Sequence, residues 1–270
     1  MGRGKSKKSG SSAITQKATP VQAPTSAQAV AVAKADMGNV PVNATVMTDR
    51  EADNLRQQED ASYDANATAA TKMYISNTNF DGQGHSMSQT MNYLLDNGVD
   101  FNSDSVDSVN KKYGLNLNKN AWATMQYTNA TLQNSLHSLG KDTVLQRGAH
   151  DDVLKNVFNI SDYSRMSQSQ LQNALVGKAF RNTSYMSTSY DVKRNPFLSS
   201  SSGVSGGREV VYNIKAGKNT QVIFGAKKQS EIVIGKDTNF IITGVRFSGK
   251  TATPRGGRSK PQIIIDIETI

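Results

Sequence analysis

The sequence of 270 residues predicts an α+β fold in which helices come first and strands follow. Residues 45–140 contain segments with apolar residues at three- and four-residue steps, a spacing typical of amphipathic helices. After residue 141, short apolar runs alternate with segments rich in Gly and Ser, which is typical of strands and their connecting loops. Residues 1–44 have neither pattern.

Residues 1–44 are predicted to form a disordered basic tail. They contain no aromatic residue and are rich in Ser, Thr, Ala, Gln, Lys and Pro. Such a segment cannot bury enough apolar surface to offset the entropy lost on ordering. We therefore expect one folded domain at 45–270, with a helical lead-in at 45–140 and a mainly β part at 141–270.

Four helices are predicted in the lead-in. The first begins at Thr48, which can form a capping box with Glu51. The others follow from apolar stripes that precede a glycine. These stripes are Met87, Met91, Leu94 and Leu95 before Gly98; Val106, Val109 and Tyr113 before Gly114; and Trp122, Met125, Leu132, Leu136 and Leu139 before Gly140.

The second half is predicted to be mainly β. Two short helices are expected here, one near 151–158 and one through Leu171 and Leu175 that ends at Gly177. The predicted strands are 143–148, 183–190, 209–215, 220–224, 231–234, 239–247 and 261–270.

Composition excludes several classes of protein. The chain has no cysteine and only three histidines, at scattered positions, so neither thiolate chemistry nor a metal centre is expected. No apolar run approaches the roughly 18 residues of a membrane span, and no signal-peptide core is present. We therefore expect a soluble protein that is not exported by the Sec pathway.

The net charge of +9 is unevenly distributed. Residues 141–270 contain 19 Lys and Arg against 10 Asp and Glu, whereas residues 45–140 contain 6 against 11. A basic second half suits a polyanionic ligand, either a dinucleotide or a nucleic acid.

Four polar features follow one another along the β part, and the third of them is the segment KRNPF at 193–197. Arg147 lies at the end of a predicted apolar strand, Ser187–Ser189 form a Ser-Thr-Ser run, and Gln229 and Glu231 precede another apolar strand. Side chains alternate along a strand, so Ser187 faces away from Thr188, and Gln229 shares a side with Glu231 if the strand extends back that far. One arginine, one hydroxyl, one amide and one carboxylate could then converge.

With these motifs the sequence resembles the toxin-type mono-ADP-ribosyltransferases, whose motifs are Arg, Ser-Thr-Ser and Gln/Glu-x-Glu. This family includes Rho-inactivating exoenzymes, enzymatic components of binary toxins and phage enzymes. The resemblance covers about residues 70–270. It implies a split antiparallel β-sandwich with N-terminal helices packed on it, and an NAD-dependent transferase that cleaves the nicotinamide–ribose bond.

The resemblance also implies the role of each motif residue. Glu231 is the expected catalytic carboxylate, Ser187 orients it, and Gln229 contacts the acceptor. In NAD binding, Arg147 holds a phosphate and the backbone of Gly148 holds the nicotinamide amide. The remaining residues of the expected NAD site are Thr188 and Ser189, which brace the strands, and Arg194 and Phe197, which contact a phosphate and the nicotinamide.

Gln at position 229 implies an acceptor other than arginine, most simply a side chain of a host protein. Lys227 and Lys228 stand where related proteins often have an aromatic residue, and they indicate an acidic acceptor surface or nucleic acid. A non-catalytic basic binding module with the same fold is the alternative from another class. The tail and the expected transferase together suit a secreted bacterial effector or a phage protein acting in a host cytoplasm.

Overall fold

The computed structural model describes residues 45–76, 78–150, 152–191, 209–252 and 260–270. The predicted tail at 1–44 and the predicted site residues Arg194 and Phe197 lie outside the described residues. The helices are α1 (Asp49–Ser62), α2 (Ala65–Tyr74), α3 (Met87–Asp96), α4 (Val106–Tyr113), α5 (Lys119–Ser135), α6 (Asp152–Asn156) and α7 (Gln168–Leu175). The strands are β1 (Thr45–Val46), β2 (His137–Ser138), β3 (Thr143–His150), β4 (Ala179–Asn182), β5 (Met186–Ser189), β6 (Glu209–Ala216), β7 (Gln221–Phe224), β8 (Glu231–Ile234), β9 (Thr238–Ala252) and β10 (Lys260–Thr269).

Polar caps define the starts of six helices. In each case the cap side chain accepts a hydrogen bond from the backbone N–H three residues later, which satisfies a donor that the helix itself cannot. The predicted capping box of Thr48 and Glu51 is confirmed at the start of α1. The six caps are Thr48, Asp64, Ser86, Ser105, Asn118 and Ser167.

The fourth predicted helix ends earlier than its apolar stripe suggests. Helix α5 ends at Ser135, and the stripe residue Leu136 has extended backbone angles. The N–H of Leu139 donates to the carbonyl of Thr220 at 2.9 Å, and residues 137–138 pair with β7 as strand β2. The prediction of helix up to Gly140 was therefore wrong, because pairing with β7 satisfies this backbone while Leu139 is buried.

The strand predicted at 183–190 is shorter in the structure, and a strand before it was missed. Strand β5 contains only Met186–Ser189, and β4 at Ala179–Asn182 pairs with β9. Residues 183–185 lead into β5, where Asn92 of α3 exchanges hydrogen bonds with the backbone of Tyr185. The backbone of Tyr185 is thus satisfied by a side chain of a distant helix.

The ten strands form one hydrogen-bonded sheet in the order β2-β7-β8-β5-β3-β6-β10-β9-β4, with β1 added beside β3. Most neighbours are antiparallel, as predicted, whereas β6–β10 and β1–β3 are parallel pairs. Strands β3 and β5 are joined through the single residue pair Gln146 and Ser189. The sheet is therefore divided at this point into two parts, β2-β7-β8-β5 and β3-β6-β10-β9-β4.

Two apolar cores lie on opposite faces of the first part. Ile232 and Ile234 point into a core that also contains Leu145, Ile214 and other side chains of the second part, which makes a two-layer sandwich. Val233 and Ile223 point the other way, into a core shared with the helices of the lead-in, including Met91 of α3 and Met125 of α5. The alternation of side chains along β7 and β8 thus places helices α2–α5 on the outer face of the sandwich.

Candidate active site

Glu231 is the first residue of β8, between β5 and β7. The register pairs Ser189 with Glu231, Thr188 with Ile232 and Ser187 with Val233. Residues that are directly paired in an antiparallel ladder project to the same face, so Ser189 and Glu231 share a face and Ser187 is diagonal to Glu231. The structure therefore brings the Ser-Thr-Ser run and the glutamate together on adjacent strands.

The carboxylate of Glu231 is fixed by the β7–β8 loop, residues 225–230. Its Oε2 accepts a hydrogen bond from the N–H of Ala226 at 2.8 Å, and the residue is only 3% exposed. A Cβ placed on Gly225 would lie 2.3 Å from the same oxygen. The close approach of the carboxylate to the backbone therefore requires glycine at position 225.

The three residues of the Ser-Thr-Ser run make different contacts. Thr188 is fully buried, and its hydroxyl donates to the carbonyl of Ile232 at 2.6 Å. The Ser189 hydroxyl donates to the carbonyl of Gln229 at 3.3 Å and accepts from the N–H of Asp191 at 3.2 Å. Ser187 contributes its carbonyl to Arg147, and its hydroxyl makes no hydrogen bond with Glu231 in the described part of the chain.

Arg147 crosses from β3 to β5. Its Nη1 donates to the carbonyl of Ser187 at 2.8 Å, and its backbone pairs with Tyr212 of β6. The strand continues to His150, so the prediction that Arg147 ends the strand was wrong. Gly148 pairs with Val211 in the same ladder. Strand β3 continues past Arg147 because β6 offers a pairing partner for each of its residues.

The charge of Arg147 acts on two titratable groups beside the site, the half-buried Asp96 and the buried Tyr74. Burial raises the pKa of Asp96 above its usual range, and the Arg147 guanidinium opposes this rise, as does the hydroxyl of Thr183, which donates to Asp96 at 2.9 Å. Burial likewise raises the pKa of the fully buried Tyr74 hydroxyl, with Arg147 again opposing it. The Arg147 guanidinium thus lowers the pKa of one group on α3 and of one group on α2.

Gln229 lies in a turn and not on the strand. Residues Lys227–Gln229 form one turn of 3-10 helix, and Ser230 has a left-handed backbone with φ of 49°. The condition for Gln229 to share a side with Glu231, a strand that extends back to position 229, is not met, because this turn reverses the chain between β7 and β8. The loop leaves the neighbouring side chains of Lys227 and Lys228 exposed and that of Gln229 partly exposed.

Helix α1 supplies site contacts that the sequence pattern did not reveal. Glu59 is a buried carboxylate that accepts from the backbone N–H of Phe224 at 2.8 Å, from Tyr63 at 2.7 Å and from His137 Nε2 at 2.9 Å. Arg56 donates to the carbonyl of Gly225. The one available signal was the spacing of charged residues Asp53, Arg56 and Glu59 along one side of α1.

The helical pattern before Gly140 predicts a solvated or hydrogen-bonded His137 on a helix; the hydrogen bond is confirmed and the helix is wrong. His137 lies on strand β2, stacks on Phe224 with the ring centroids 6.1 Å apart, and bonds Glu59. Phe224 is only 3% exposed, because His137 and Arg56 cover its ring. Phe224 is thus part of the support of the loop and does not offer a face to an acceptor.

A buried polar network lies behind the Ser-Thr-Ser strand. Asn92 donates to the carbonyl of Tyr185 and to the hydroxyl of Tyr74, both at 3.0 Å. Gln133 donates to the Tyr185 hydroxyl at 2.8 Å. These hydrogen bonds connect helices α2, α3 and α5 to Tyr185, the residue that precedes β5.

Two classes of feature are not found in the described residues. No group of three or more His, Cys, Asp or Glu side chains is arranged to hold a metal ion within these ranges. Among the described helices, none combines the length and hydropathy that a bilayer span requires.

Comparisons with known proteins identify the family and the fold. The family model described as ADP-ribosyltransferase exoenzyme matches residues 92–269, which is more than half of the chain. The structure of C3stau2 from S. aureus, solved with NAD, has 16% identity and a TM-score of 0.54, and the match covers 85% of this chain and 99% of that one. No curated protein matches the sequence.

Two further solved structures have the same fold. The C3 exoenzyme of Clostridium limosum is 15% identical with a TM-score of 0.53, and the match covers 84% of this chain and 96% of that one. The toxin Plx2a from Paenibacillus larvae is 10% identical with a TM-score of 0.53, covering 84% of this chain and all of that one (100%). At such identities these structures show the fold alone.

The predicted α+β fold and the predicted resemblance are confirmed, and NAD is the substrate that the family uses. The match includes Arg147, the Ser-Thr-Ser strand and Glu231, which lie within residues 92–269. This chain belongs to the ADP-ribosyltransferase exoenzyme family of NAD-dependent transferases.

Proposed function

We propose that this protein transfers ADP-ribose from NAD to a side chain other than arginine in a host protein, with Glu231 as the catalytic residue. The observation that carries the proposal is the fixed carboxylate of Glu231, which is 3% exposed and held through Oε2 by the Ala226 N–H. Oε1 makes no hydrogen bond with another described residue, so it is available to accept one from a hydroxyl of the nicotinamide ribose.

The reaction needs a negative charge that is already in place when positive charge develops. As the bond between the ribose carbon and the nicotinamide nitrogen breaks, its electron pair goes to nicotinamide, and the ribose becomes oxocarbenium-like. A preorganised carboxylate stabilises such a species without reorganising during the reaction. The acceptor atom then forms a bond to the same carbon and releases its proton to solvent.

Arg147 is proposed to hold a phosphate of NAD. One nitrogen of its guanidinium donates to the Ser187 carbonyl at 2.8 Å, which fixes the group against β5. A guanidinium has five donors in a planar fork, so other N–H groups remain for phosphate oxygens. The backbone of Gly148, the next residue on β3, is proposed to hold the nicotinamide amide.

The hydroxyl residues are proposed to support the glutamate. Thr188 and Ser189 connect β5 to β8 and to the β7–β8 loop through the bonds to Ile232 and Gln229. Ser187, diagonal to Glu231 on the same face, is proposed to orient the carboxylate when NAD is bound. Arg194 and Phe197 remain proposed NAD contacts on the basis of the family motif alone.

Gln229 is proposed to contact the acceptor, because its loop leads directly into Glu231. Nucleic acid is the second candidate acceptor, favoured by the exposed Lys227 and Lys228 beside Gln229 and by the 19 Lys and Arg against 10 Asp and Glu in residues 141–270. We further propose that the protein acts inside a host cell, as a bacterial effector or a phage protein.

The test compares the wild-type protein with Glu231→Gln. We expect the variant to lose nicotinamide release by roughly 100-fold or more, because the amide removes the charge but keeps the shape. Thermal melting should stay near that of the wild type. Glu51→Gln is the matched control, since glutamine can replace glutamate in the capping box of the exposed start of α1.

The acceptor is then identified by labelling lysates with biotinylated NAD and treating them with protease or nuclease. Label that depends on Glu231 and disappears with protease supports a protein acceptor, and disappearance with nuclease supports nucleic acid. Retained nicotinamide release in Glu231→Gln would contradict the proposed role of Glu231. Absence of both release and label in the wild type would favour the non-catalytic binding module.

A further inference from the structure

Helix α1 makes three kinds of contact with one short stretch of chain around the β7–β8 loop. Glu59 accepts from the N–H of Phe224, Arg56 donates to the carbonyl of Gly225, and Asp53 pairs with Lys227 at 3.0 Å. The three side chains are three residues apart, so they lie along one side of the helix. Helix α1 lies outside the residues matched by the family model, which begin at 92.

The peptide between Gly225 and Ala226 is held from both of its sides. Its carbonyl oxygen, from Gly225, accepts from Arg56 Nη1, and its N–H, from Ala226, donates to Glu231 Oε2 at 2.8 Å. A peptide unit is planar and rigid, so the direction of its C=O sets the direction of its N–H. Rotation of this peptide would therefore move the donor away from the glutamate carboxylate.

From this arrangement we propose that Arg56 is a positioning residue for the reaction. Arg56 fixes the Gly225–Ala226 peptide, and this peptide fixes the orientation of the Glu231 carboxylate. The inference rests on the proposed catalytic role of Glu231. The absence of a side chain at Gly225 belongs to the same arrangement, because a Cβ at this residue would overlap the carboxylate. Arg56 acts through the peptide and makes no contact with the acceptor in this scheme.

The contacts of Arg56 are poor for stability and well suited to positioning. Its Nε and Nη2 are buried without a hydrogen-bond partner among the described residues, and such unsatisfied donors cost free energy. The guanidinium also lies 5.2 Å from the centroid of the Phe224 ring, which limits its movement. Glu59 independently fixes the N–H of Phe224, so the stretch before the peptide is held without Arg56.

The test uses Arg56→Met, which keeps the apolar stem over Phe224 and removes the guanidinium. We expect kcat for nicotinamide release to fall roughly 10- to 100-fold, because small misplacements of a catalytic group have effects of this size. KM for NAD should stay within about twofold, since the scheme places Arg56 on the peptide and not on NAD. Arg56→Lys should recover part of kcat, because an ammonium can still donate to the carbonyl of Gly225.

Two controls separate positioning from folding. Arg50→Met makes the same change on an exposed position of α1 and should leave kcat within about twofold of the wild type. Calorimetry with NAD reports the stoichiometry and Kd of each variant, and a positioning role leaves both unchanged while kcat falls. A loss of kcat that is matched by a loss of binding stoichiometry would show a structural role and overturn the inference.

Glu231→Gln distinguishes the two proposals. If Glu231→Gln abolishes nicotinamide release while Arg56→Met retains kcat within about twofold of the wild type, the positioning role is wrong and the catalytic role of Glu231 stands. If Glu231→Gln retains release, the proposed function fails whatever Arg56→Met does. A loss of kcat in both variants, with NAD binding intact in Arg56→Met, supports both proposals.

Discussion

Ser189 on β5 lies directly opposite Glu231 on β8, and its hydroxyl donates to the carbonyl of Gln229 at 3.3 Å. The same face of two adjacent strands thus carries the second serine of the Ser-Thr-Ser run and the glutamate, and the serine also holds the end of the β7–β8 loop. The N–H of Tyr190 adds a bond of 3.0 Å to the carbonyl of Ser230. Strand β5 therefore supports the loop from one side while α1 supports it from the other.

The packing of Glu231 against the backbone predicts that Gly225→Ala inactivates the enzyme. A Cβ at this position would lie 2.3 Å from Glu231 Oε2, so the carboxylate or the loop must shift. We expect kcat for nicotinamide release to fall roughly 100-fold. The matched control is Gly217→Ala, whose Cβ would meet its nearest neighbour at 3.5 Å and should leave kcat unchanged. Equal kcat values of the two alanine variants would show that the position of the Glu231 carboxylate does not affect nicotinamide release.

The contact between Arg147 and Ser187 predicts the effect of Arg147→Lys. The planar guanidinium of arginine can donate to the Ser187 carbonyl and to a phosphate at the same time. A lysine ammonium cannot reproduce this geometry. We expect KM for NAD to rise roughly tenfold, an effect of about 1.4 kcal/mol, measured by steady-state nicotinamide release. Arg181→Lys is the control, because Arg181 pairs with Asp237 at 2.9 Å on an exposed part of β4. An unchanged KM in Arg147→Lys would argue against phosphate binding at this residue.

The pair formed by His137 and Glu59 predicts a pH dependence of stability. The hydrogen bond to Glu59 raises the pKa of His137 above its ordinary value of 6.5, and burial opposes the rise. The folded state then binds more protons than the unfolded state between the two pKa values, so the stabilising contribution is complete below 6.5 and is lost as pH rises through the raised pKa. We expect the free energy of unfolding to fall over this window.

Urea unfolding of the wild type and of His137→Gln, from about pH 5.5 to about pH 9, measures this contribution. The difference in free energy of unfolding between the two proteins should decrease as pH rises. A difference that is constant with pH would show that His137 contributes through stacking on Phe224 and not through its charge.

Local patterns in the sequence were sufficient for most of the helices and strands. The apolar stripe of Met87, Met91, Leu94 and Leu95 predicted α3, and the capping box at Thr48 predicted the start of α1. Helix periodicity and caps are determined by residues three or four positions apart, so a single sequence contains this information. The order of the motifs along the chain likewise sufficed for the family.

The sequence pattern was insufficient where backbone hydrogen bonds outside that pattern decided the structure. Leu136 and Leu139 continue the stripe of α5, yet the chain leaves the helix after Ser135 because β7 offers backbone partners. Gln229 stands two residues before Glu231, yet a turn with a left-handed Ser230 separates it from the strand. After Ser135 the backbone partner is a distant strand, whereas the N–H of Gln229 donates to the carbonyl of Ala226 within the turn at 3.0 Å. The spacing of side chains reveals neither of these hydrogen bonds.

The sequence by itself determined the helical lead-in, the run of strands and the presence of one arginine, one Ser-Thr-Ser run and one glutamate in the order of the family. Only the tertiary structure decided that Ser189 faces Glu231 and that Arg56 reaches the carbonyl of Gly225, 169 positions away along the chain. The physical reason is that the register of paired strands and the docking of a polar helix depend on long-range packing, whereas periodicity and capping depend on neighbours within one turn.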